Sequence, residues 1–194
     1  VDVGDFGVIS DVSSTIVGAL DAELAKLTPR ARAELNDLSG AVPAGLVLTV
    51  TLYEILEDAA SRNRPPVQQM TGAATVARKP PMALLLRYLL TPWGGDQRTE
   101  QRMAGKAMQV LYDDAILDGL ALKGTLAGGR DTLKITLASL SLEDRTRVWW
   151  AIQKPYRLSL NYEIRVVNLD ALQAASRSVV RSRALDHGLL ETGP

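Results

Sequence analysis

The stretch PYRLSLNYEIRVV, residues 155–167, decides how the rest of the chain is read. Tyr156, Leu158, Leu160, Tyr162, Ile164 and Val166 share one face of an extended strand, and Arg157, Ser159, Asn161, Glu163 and Arg165 share the other. Five polar residues on one side exclude a strand buried on both faces. The pattern predicts a long strand with one face on the core and the other wet or pressed on a partner.

Working outward, Ser141-Leu142-Glu143-Asp144 has the form of a capping box and opens a helix that carries Val148, Trp149 and Ile152, closed by Lys154-Pro155. Leu133, Ile135 and Leu137 alternate with Lys134, Thr136 and Ala138, which predicts a short strand. Over residues 82–91, Met82, Leu84, Leu86, Tyr88 and Leu90 face one way, and Leu85 and Leu89 join Arg87 on the other. Apolar residues on both sides predict a more buried, central strand. Leu46, Leu48, Val50 and Leu52 alternate with Val47, Thr49, Thr51 and Tyr53, giving a further strand.

Two more helices are expected. Ile9, Val12, Ile16, Leu20, Leu24 and Leu27 form one stripe over residues 10–27, with Ser10 or Asp11 as the cap and Thr28-Pro29 as the stop. Met103, Ala107, Val110 and Leu111 form another over residues 99–114, where Gly105 is a tolerated weakness or a close-packing point. Residues 28–43 read as a surface connection, 92–95 as a turn and 125–129 as a hairpin or loose turn. Residues 62–79, with Pro65-Pro66, Gln68-Gln69 and small residues at 71–74, have the composition of a long loop, and such loops are more often functional or disordered than decorative. Strands and helices interspersed in this way predict an α+β (mixed α/β) single domain, a central mixed or antiparallel sheet flanked by helices, over residues 1–170. Residues 171–194 are a C-terminal helix or a tail ordered only in an assembly.

Composition narrows the function. The chain has 194 residues, enough for one domain that buries roughly 70% of its unfolded surface. Twenty-two basic and twenty-two acidic residues cancel, so overall charge recruits neither nucleic acid nor an anionic membrane. The balance is uneven: residues 1–40 hold seven acidic and three basic residues, residues 78–110 six basic and two acidic, an asymmetry that would suit head-to-tail docking of subunits. There is no cysteine, which removes disulfides, thiolate nucleophiles and Cys-based metal sites and fits a reducing compartment. No apolar run reaches eighteen residues, and nothing at the start reads as a signal peptide.

Candidate chemistry is sparse. His187 is the sole histidine and has no orienting partner in its segment. Asp113-Asp114, Asp118 and Glu143-Asp144 lack the spacing of a calcium loop and read as helix-end solvation. Glu54, Glu57 and Asp58 form an ordinary carboxylate cluster. Gly94-Gly95 and Gly128-Gly129-Arg130 match no phosphate-binding loop and read as turns. Arg78-Lys79, Arg87 beside Tyr88, and the arginines at 177, 181 and 183 are too few and too isolated for a nucleic-acid groove. Trp149 and Trp150 point about 100° apart on a helix, so one indole belongs to the core and the other to a rim or an interface. No catalytic, cofactor-binding or metal residue is assigned.

Three blocks also resemble a known family. Leu52-Tyr53-Glu54-Ile55-Leu56-Glu57-Asp58 with Arg62-Asn63 looks like its leucine-tyrosine strand end followed by an acidic position and a closing arginine-asparagine pair. Leu86-Arg87-Tyr88-Leu89-Leu90-Thr91-Pro92 is similar to its strand ending in threonine-proline, and Gly105, Ala107-Met108 and Leu111-Tyr112-Asp113-Asp114 fall in the helix that follows. Trp149 onward, through Pro155-Tyr156-Arg157-Leu158-Ser159-Leu160-Asn161-Tyr162 and Val166-Val167, is the most specific block. The chain thus resembles, over residues 9–170, the cap or tail-terminator proteins of phage-tail-like contractile injection systems. Where that family usually has glutamate-asparagine, this chain has Glu57-Asp58.

The resemblance implies a non-enzymatic structural protein with no cofactor. It implies a six-fold ring, a homohexamer, that terminates the distal end of the contractile sheath and inner tube, with sheath protein and inner-tube protein as partners and neither nucleic acid nor membrane. Assembly in the bacterial cytoplasm is expected, with release of the particle from the cell left open. The alternative reading is an adaptor or binding module that docks partners through an exposed strand.

Overall fold

The strongest apolar alternations in the sequence become neighbours in one sheet. The computed structural model describes residues 6–41, 43–62, 67–71, 74–78, 80–129, 131–169 and 177–178. In order these form α1 (Val8–Leu24), β1 (Arg32–Leu35), β2 (Val47–Glu57), β3 (Val67–Thr71), β4 (Ala74–Arg78), β5 (Met82–Trp93), α2 (Gln97–Asp113), β6 (Ile116–Asp118), β7 (Thr132–Leu137), α3 (Leu142–Ala151), β8 (Leu160–Leu169) and β9 (Arg177–Ser178). They fall into two compact units, residues 1–63 with 81–170 and residues 64–80 with 171–194.

The larger unit is built on a six-stranded sheet in the order β1-β2-β5-β8-β7-β6. β1 runs parallel to β2 and every other pair is antiparallel, so the sheet is mixed and the class is α+β, as the sequence predicts. β5 lies between β2 and β8, the central place its two apolar faces require.

One sheet face carries Leu48, Val50, Leu84, Leu86, Tyr88, Leu90, Leu133, Ile135, Tyr162, Ile164 and Val166, covered by α1 through Val8, Val12, Ile16, Leu20 and Leu24 and by α2 through Met103, Ala107, Val110 and Leu111. Each large aliphatic side chain so buried contributes roughly 1.5–3 kcal/mol of transfer free energy. The only hydroxyl pair crossing this core is Tyr88 with Ser13, at 2.8 Å, among the described residues. Burial pushes the Tyr88 phenol up to about 12. The opposite sheet face holds a smaller apolar group, Leu38, Leu89, Trp93 and Trp149, flanked by Tyr53, Val148 and Ile152.

Several expectations need correction. α1 begins at Val8, and neither Ser10 nor Asp11 caps it. Ser10 donates to the Gly7 carbonyl, while the Asp11 carboxylate accepts from the backbone and hydroxyl of Thr125 at 2.8 and 2.6 Å. It ends at Leu24, ahead of the expected Pro29 stop. The connection at 28–43 contains β1, whose single buried side chain, Ala33, is too weak an alternation to read as a strand. Ile116–Asp118, left unassigned by periodicity, is the short edge strand β6. The turn expected at 92–95 is confined to Gly94-Gly95, since β5 continues through a buried Trp93.

The decisive stretch also differs from its reading. β8 starts only at Leu160, Tyr156 and Leu158 are exposed, and Ser159 and Asn161, expected to be wet or pressed on a partner, are each 2% exposed within the chain itself. They lie on the face that α3 covers. Tyr162, Ile164 and Val166 do face the main core.

In the smaller unit, β3 and β4 pair as an antiparallel hairpin and β9 adds to β4, giving the order β3-β4-β9. The long loop read at 62–79 is therefore largely hairpin. Gln68, Gln69, Thr71 and Thr75 hid it, because strand pairing satisfies the backbone whatever the side chains are. At 177–178 the chain is strand, not the helix that was one of two expectations for 171–194.

Candidate interaction surface

The second face of the larger sheet is half apolar and half ionic. In the apolar half the Trp93 indole donates to the Thr49 hydroxyl at 2.9 Å and meets Trp149 edge-on, with ring centroids 6.4 Å apart. The Trp149 indole donates to the Ser159 hydroxyl at 3.2 Å. Both polar handles of these rings are thus satisfied, as burial of an indole requires. Arg157 closes the group, its guanidinium 4.5 Å from the Trp93 ring centroid and ion-paired with Glu100 of α2.

The ionic half centres on Arg87. Its Nη1 lies 2.7 Å from Glu54 and its Nε 3.0 Å from Glu163, and Glu163 also takes Arg165 at 3.1 Å. Hydrogen bonding to Glu54, then to Glu163, holds the Arg87 guanidinium above its usual pKa against the opposing effect of burial. A β-bulge makes this possible. Leu52 pairs with Tyr88 and Glu54 with Arg87, so Tyr53 is an extra residue that turns Glu54 onto the Arg87 face. Asp58, 3.9 Å from Arg165, and Glu57, 2.8 Å from Arg62, extend the pattern, and each carboxylate here already has a cation.

Over the apolar half lies α3, capped by Ser141, which accepts from the Asp144 amide as the capping box predicts. Trp149 is its one buried residue, at 1% exposure, whereas Trp150 is 81% exposed. The two indoles divide between core and surface as their angular separation demands. Leu142, Tyr156 and Leu158 are exposed as well, and Trp150, Ala151, Gln153 and Lys154 line a groove of about 360 Å³. Exposed aromatic and aliphatic groups over a sheet whose charges are mutually neutralised suit contact with another protein surface.

Comparison with known proteins agrees with this architecture. The family model described as the Pvc16 N-terminal domain matches residues 11–182. The chain belongs to that family. Among solved structures, this Pvc16 N-terminal domain is similar to the sheath/tube terminator of an extracellular contractile injection system, PVC, in its extended state. The TM-score is 0.60 and the identity 18%, over 98% of this chain and 66% of that one. It is also similar to the tube-terminating cap of the anti-feeding prophage, with a TM-score of 0.55 and 16% identity, over 93% of this chain and 60% of that one. The chain therefore spans about two thirds or less of those proteins' length. No curated protein sequence matches it. The resemblance to cap or tail-terminator proteins read from the sequence holds at the level of the family.

The other residues singled out in the sequence do not meet in this Pvc16 N-terminal domain. Asp113 and Asp114 sit at the carboxyl end of α2, about 20 Å along the helix from Glu100 and its partner Arg157. Arg87 is held in its own ion pairs, and Tyr88 points into the opposite core. Glu143 pairs with Arg147, and the Asp144 carboxylate accepts from the hydroxyl of Ser141, the cap of α3. Among the described residues no group of three or more histidine, aspartate or glutamate side chains could hold a metal ion, and no helix is long and apolar enough to cross a membrane. His187, Arg130, Lys79, Arg181 and Arg183 lie outside the described residues, and of Arg78 and Arg177 only the strand position is described. Gly94, at φ 85°, is a true turn glycine, since a Cβ there would come within 1.8 Å of the Gly45 carbonyl oxygen.

The uneven charge along the chain meets internally at one ion pair. Lys106 of α2 pairs with Glu23 of α1 at 3.1 Å, where the acidic first helix packs against the second. The residues that sequence reasoning missed are Trp93, Ser159 and Asn161. Only the Trp93 position, continuing the alternation of Leu89 beyond Pro92, gave a usable signal.

Proposed function

We propose that this chain caps a contractile injection particle, closing the distal end of its sheath and inner tube as a six-fold ring. The family match over residues 11–182 carries the reading, supported by the fold it shares with a sheath/tube terminator and a tube-terminating cap. Its partners are then copies of itself, sheath protein and tube protein, and it assembles in the bacterial cytoplasm. Residues 1–170 serve as the capping domain, and the segment 171–194 contributes to the assembly.

The sheet edges are consistent with that role. A terminator has to satisfy the last ring of a polymer without presenting an extendable edge of its own. The outward amide of Ala33 on edge strand β1 donates to Asp21 of α1 at 2.9 Å, and the other edge, β6, is only three residues long. Strand addition at either edge of the larger sheet is thereby discouraged, which weighs against an adaptor that works through those edges.

The test is reconstitution of sheath and tube with and without the purified chain, followed by electron microscopy and light scattering. A density at one end only, a narrowed length distribution and a species near 125 kDa, six copies of the 20.9 kDa chain, are expected. Particles of unchanged length with bare ends would overturn the proposal.

A further inference from the structure

α2 carries its unpaired charges at the wrong ends. A helix is positive at its amino end and negative at its carboxyl end, so aspartate is favoured in the first turn and arginine in the last. On α2 Arg98 stands in the first turn and Arg102 one turn later, while Asp113 is the last residue and Asp114 follows it. The other charges near this helix are paired, Glu100 with Arg157 and Lys106 with Glu23. Arg98, Arg102, Asp113 and Asp114 have no side-chain partner among the described residues.

These charges are also arranged on one face. At 100° per residue, Arg98, Arg102, Gly105, Gln109, Tyr112 and Asp113 fall within a stripe about 100° wide, opposite the buried Met103, Ala107 and Leu111. All six are exposed, Tyr112 at 83%. Gly105 lies mid-stripe, and nothing comes within 4 Å of where its Cβ would be. A glycine inside a helix costs about 1 kcal/mol relative to alanine, and no contact within the chain requires it here.

We propose that this face of α2 docks against the same face of a second copy of the chain, antiparallel, with the two-fold axis beside Gly105. Arg98 lies seven residues before Gly105 and Asp113 eight after it, so that register sets Arg98 of each copy against Asp113 of the other. Arg102 meets Gln109 in the same way. The glycine lets the two backbones come close, and opposed helix dipoles convert each misplaced charge into half of an intermolecular pair. The contact is self-complementary and so closes at two copies, unlike the head-to-tail contact of a ring. It rests on α2 alone and stands whether or not the chain is a cap.

The chain has no cysteine, so single cysteines report contacts cleanly. Gly105→Cys in the full chain, under mild oxidation, is expected to give a disulfide-linked dimer of about 42 kDa, far more than Thr146→Cys on the exposed side of α3. By light scattering over a dilution series, Arg98→Asp is expected to weaken self-association roughly tenfold, and Arg98→Asp with Asp113→Arg in one chain to restore it. Arg98→Asp places a carboxylate at the helix amino end, so loss of the dimer is not loss of the helix. Cross-linking at 105 no greater than at 146 would overturn the proposal. So would a charge-swapped double variant as weak as the single one.

Discussion

The Arg157 guanidinium rests 4.5 Å from the centroid of the Trp93 ring, so a residue that alternation assigns to the wet face instead closes the smaller core. The same side chain reaches Glu100, tying the segment before β8 to the first turn of α2. Lysine keeps the charge but has neither the planar stacking surface nor the forked donors. Arg157→Lys is expected to lower stability by about 1 kcal/mol in urea unfolding, with Arg157→Ala costing more. Equal midpoints for wild type and both variants would show that the stack contributes nothing.

α3 is attached to the sheet chiefly by one side chain. Trp149→Ala removes a fully buried indole, a change that costs about 3–5 kcal/mol where the whole fold depends on it. Since Trp149 is the helix's only buried residue, the loss is expected to appear first as local opening. Hydrogen exchange in α3 should accelerate strongly while β5 keeps its protection. Trp150→Ala, at a position 81% exposed, should shift stability by less than about 0.5 kcal/mol.

Tyr88 makes the fold sensitive to alkali. Its phenol titrates near 10.0 when unfolded and is pushed up to about 12 in the core by burial, against a smaller opposing effect of the bond to Ser13. The raised value means the stability is fully present below pH 10. Between pH 10 and 12 the unfolded chain releases a proton that the folded chain retains, so stability falls by roughly 2–3 kcal/mol. Burial raises Tyr53 and Tyr162 as well, adding to the same slope. Denaturation midpoints across that range should decline less steeply in Tyr88→Phe, and an identical decline would exclude Tyr88 as the main source.

Backbone conformation separates two substitutions that look alike. Gln153, just beyond α3, has φ 60°, and Gln153→Gly is expected to stabilise the protein by about 0.5–1 kcal/mol. Leu38 has the same φ but is 3% exposed in the smaller core, so glycine there loses more from burial than it recovers from strain. Thermal melts of the two variants should move in opposite directions.

The β3–β4 hairpin offers a test of assembly. Deleting residues 68–76 removes most of it while leaving the six-stranded sheet of the larger unit intact. The truncated chain is expected to fold yet to bind sheath, or to form the proposed ring, more weakly. Unchanged oligomeric mass together with unchanged sheath binding would dismiss the hairpin as an assembly element.

How much could be read from the sequence follows from what each residue packs against. β5 and the core half of β8 were legible because alternation reports one-sided burial, and α3 because a capping box is local chemistry. The class and the sheet followed from those elements. β1 was not legible: only Ala33 is buried there, and its place is set by pairing with β2 and by Asp21, both remote in sequence. Ser159 and Asn161 misled for a related reason, since polarity predicts solvent and cannot anticipate a helix laid across that face. The pairing of Lys106 on α2 with Glu23 on α1 was equally hidden, because charge counts along a chain ignore which helices meet.

The bulge at Tyr53 has a consequence for how this strand tolerates changes in length. Ahead of the bulge in β2, losing one residue would turn the far half of the strand over and present Glu54 to the leucines of the main core. At Tyr53 the loss would merely straighten the strand, leaving Glu54 opposite Arg87 and Ile55 opposite Leu86. Insertions and deletions among relatives should therefore cluster at that one position, the only point where β2 can be edited without rewriting its neighbours.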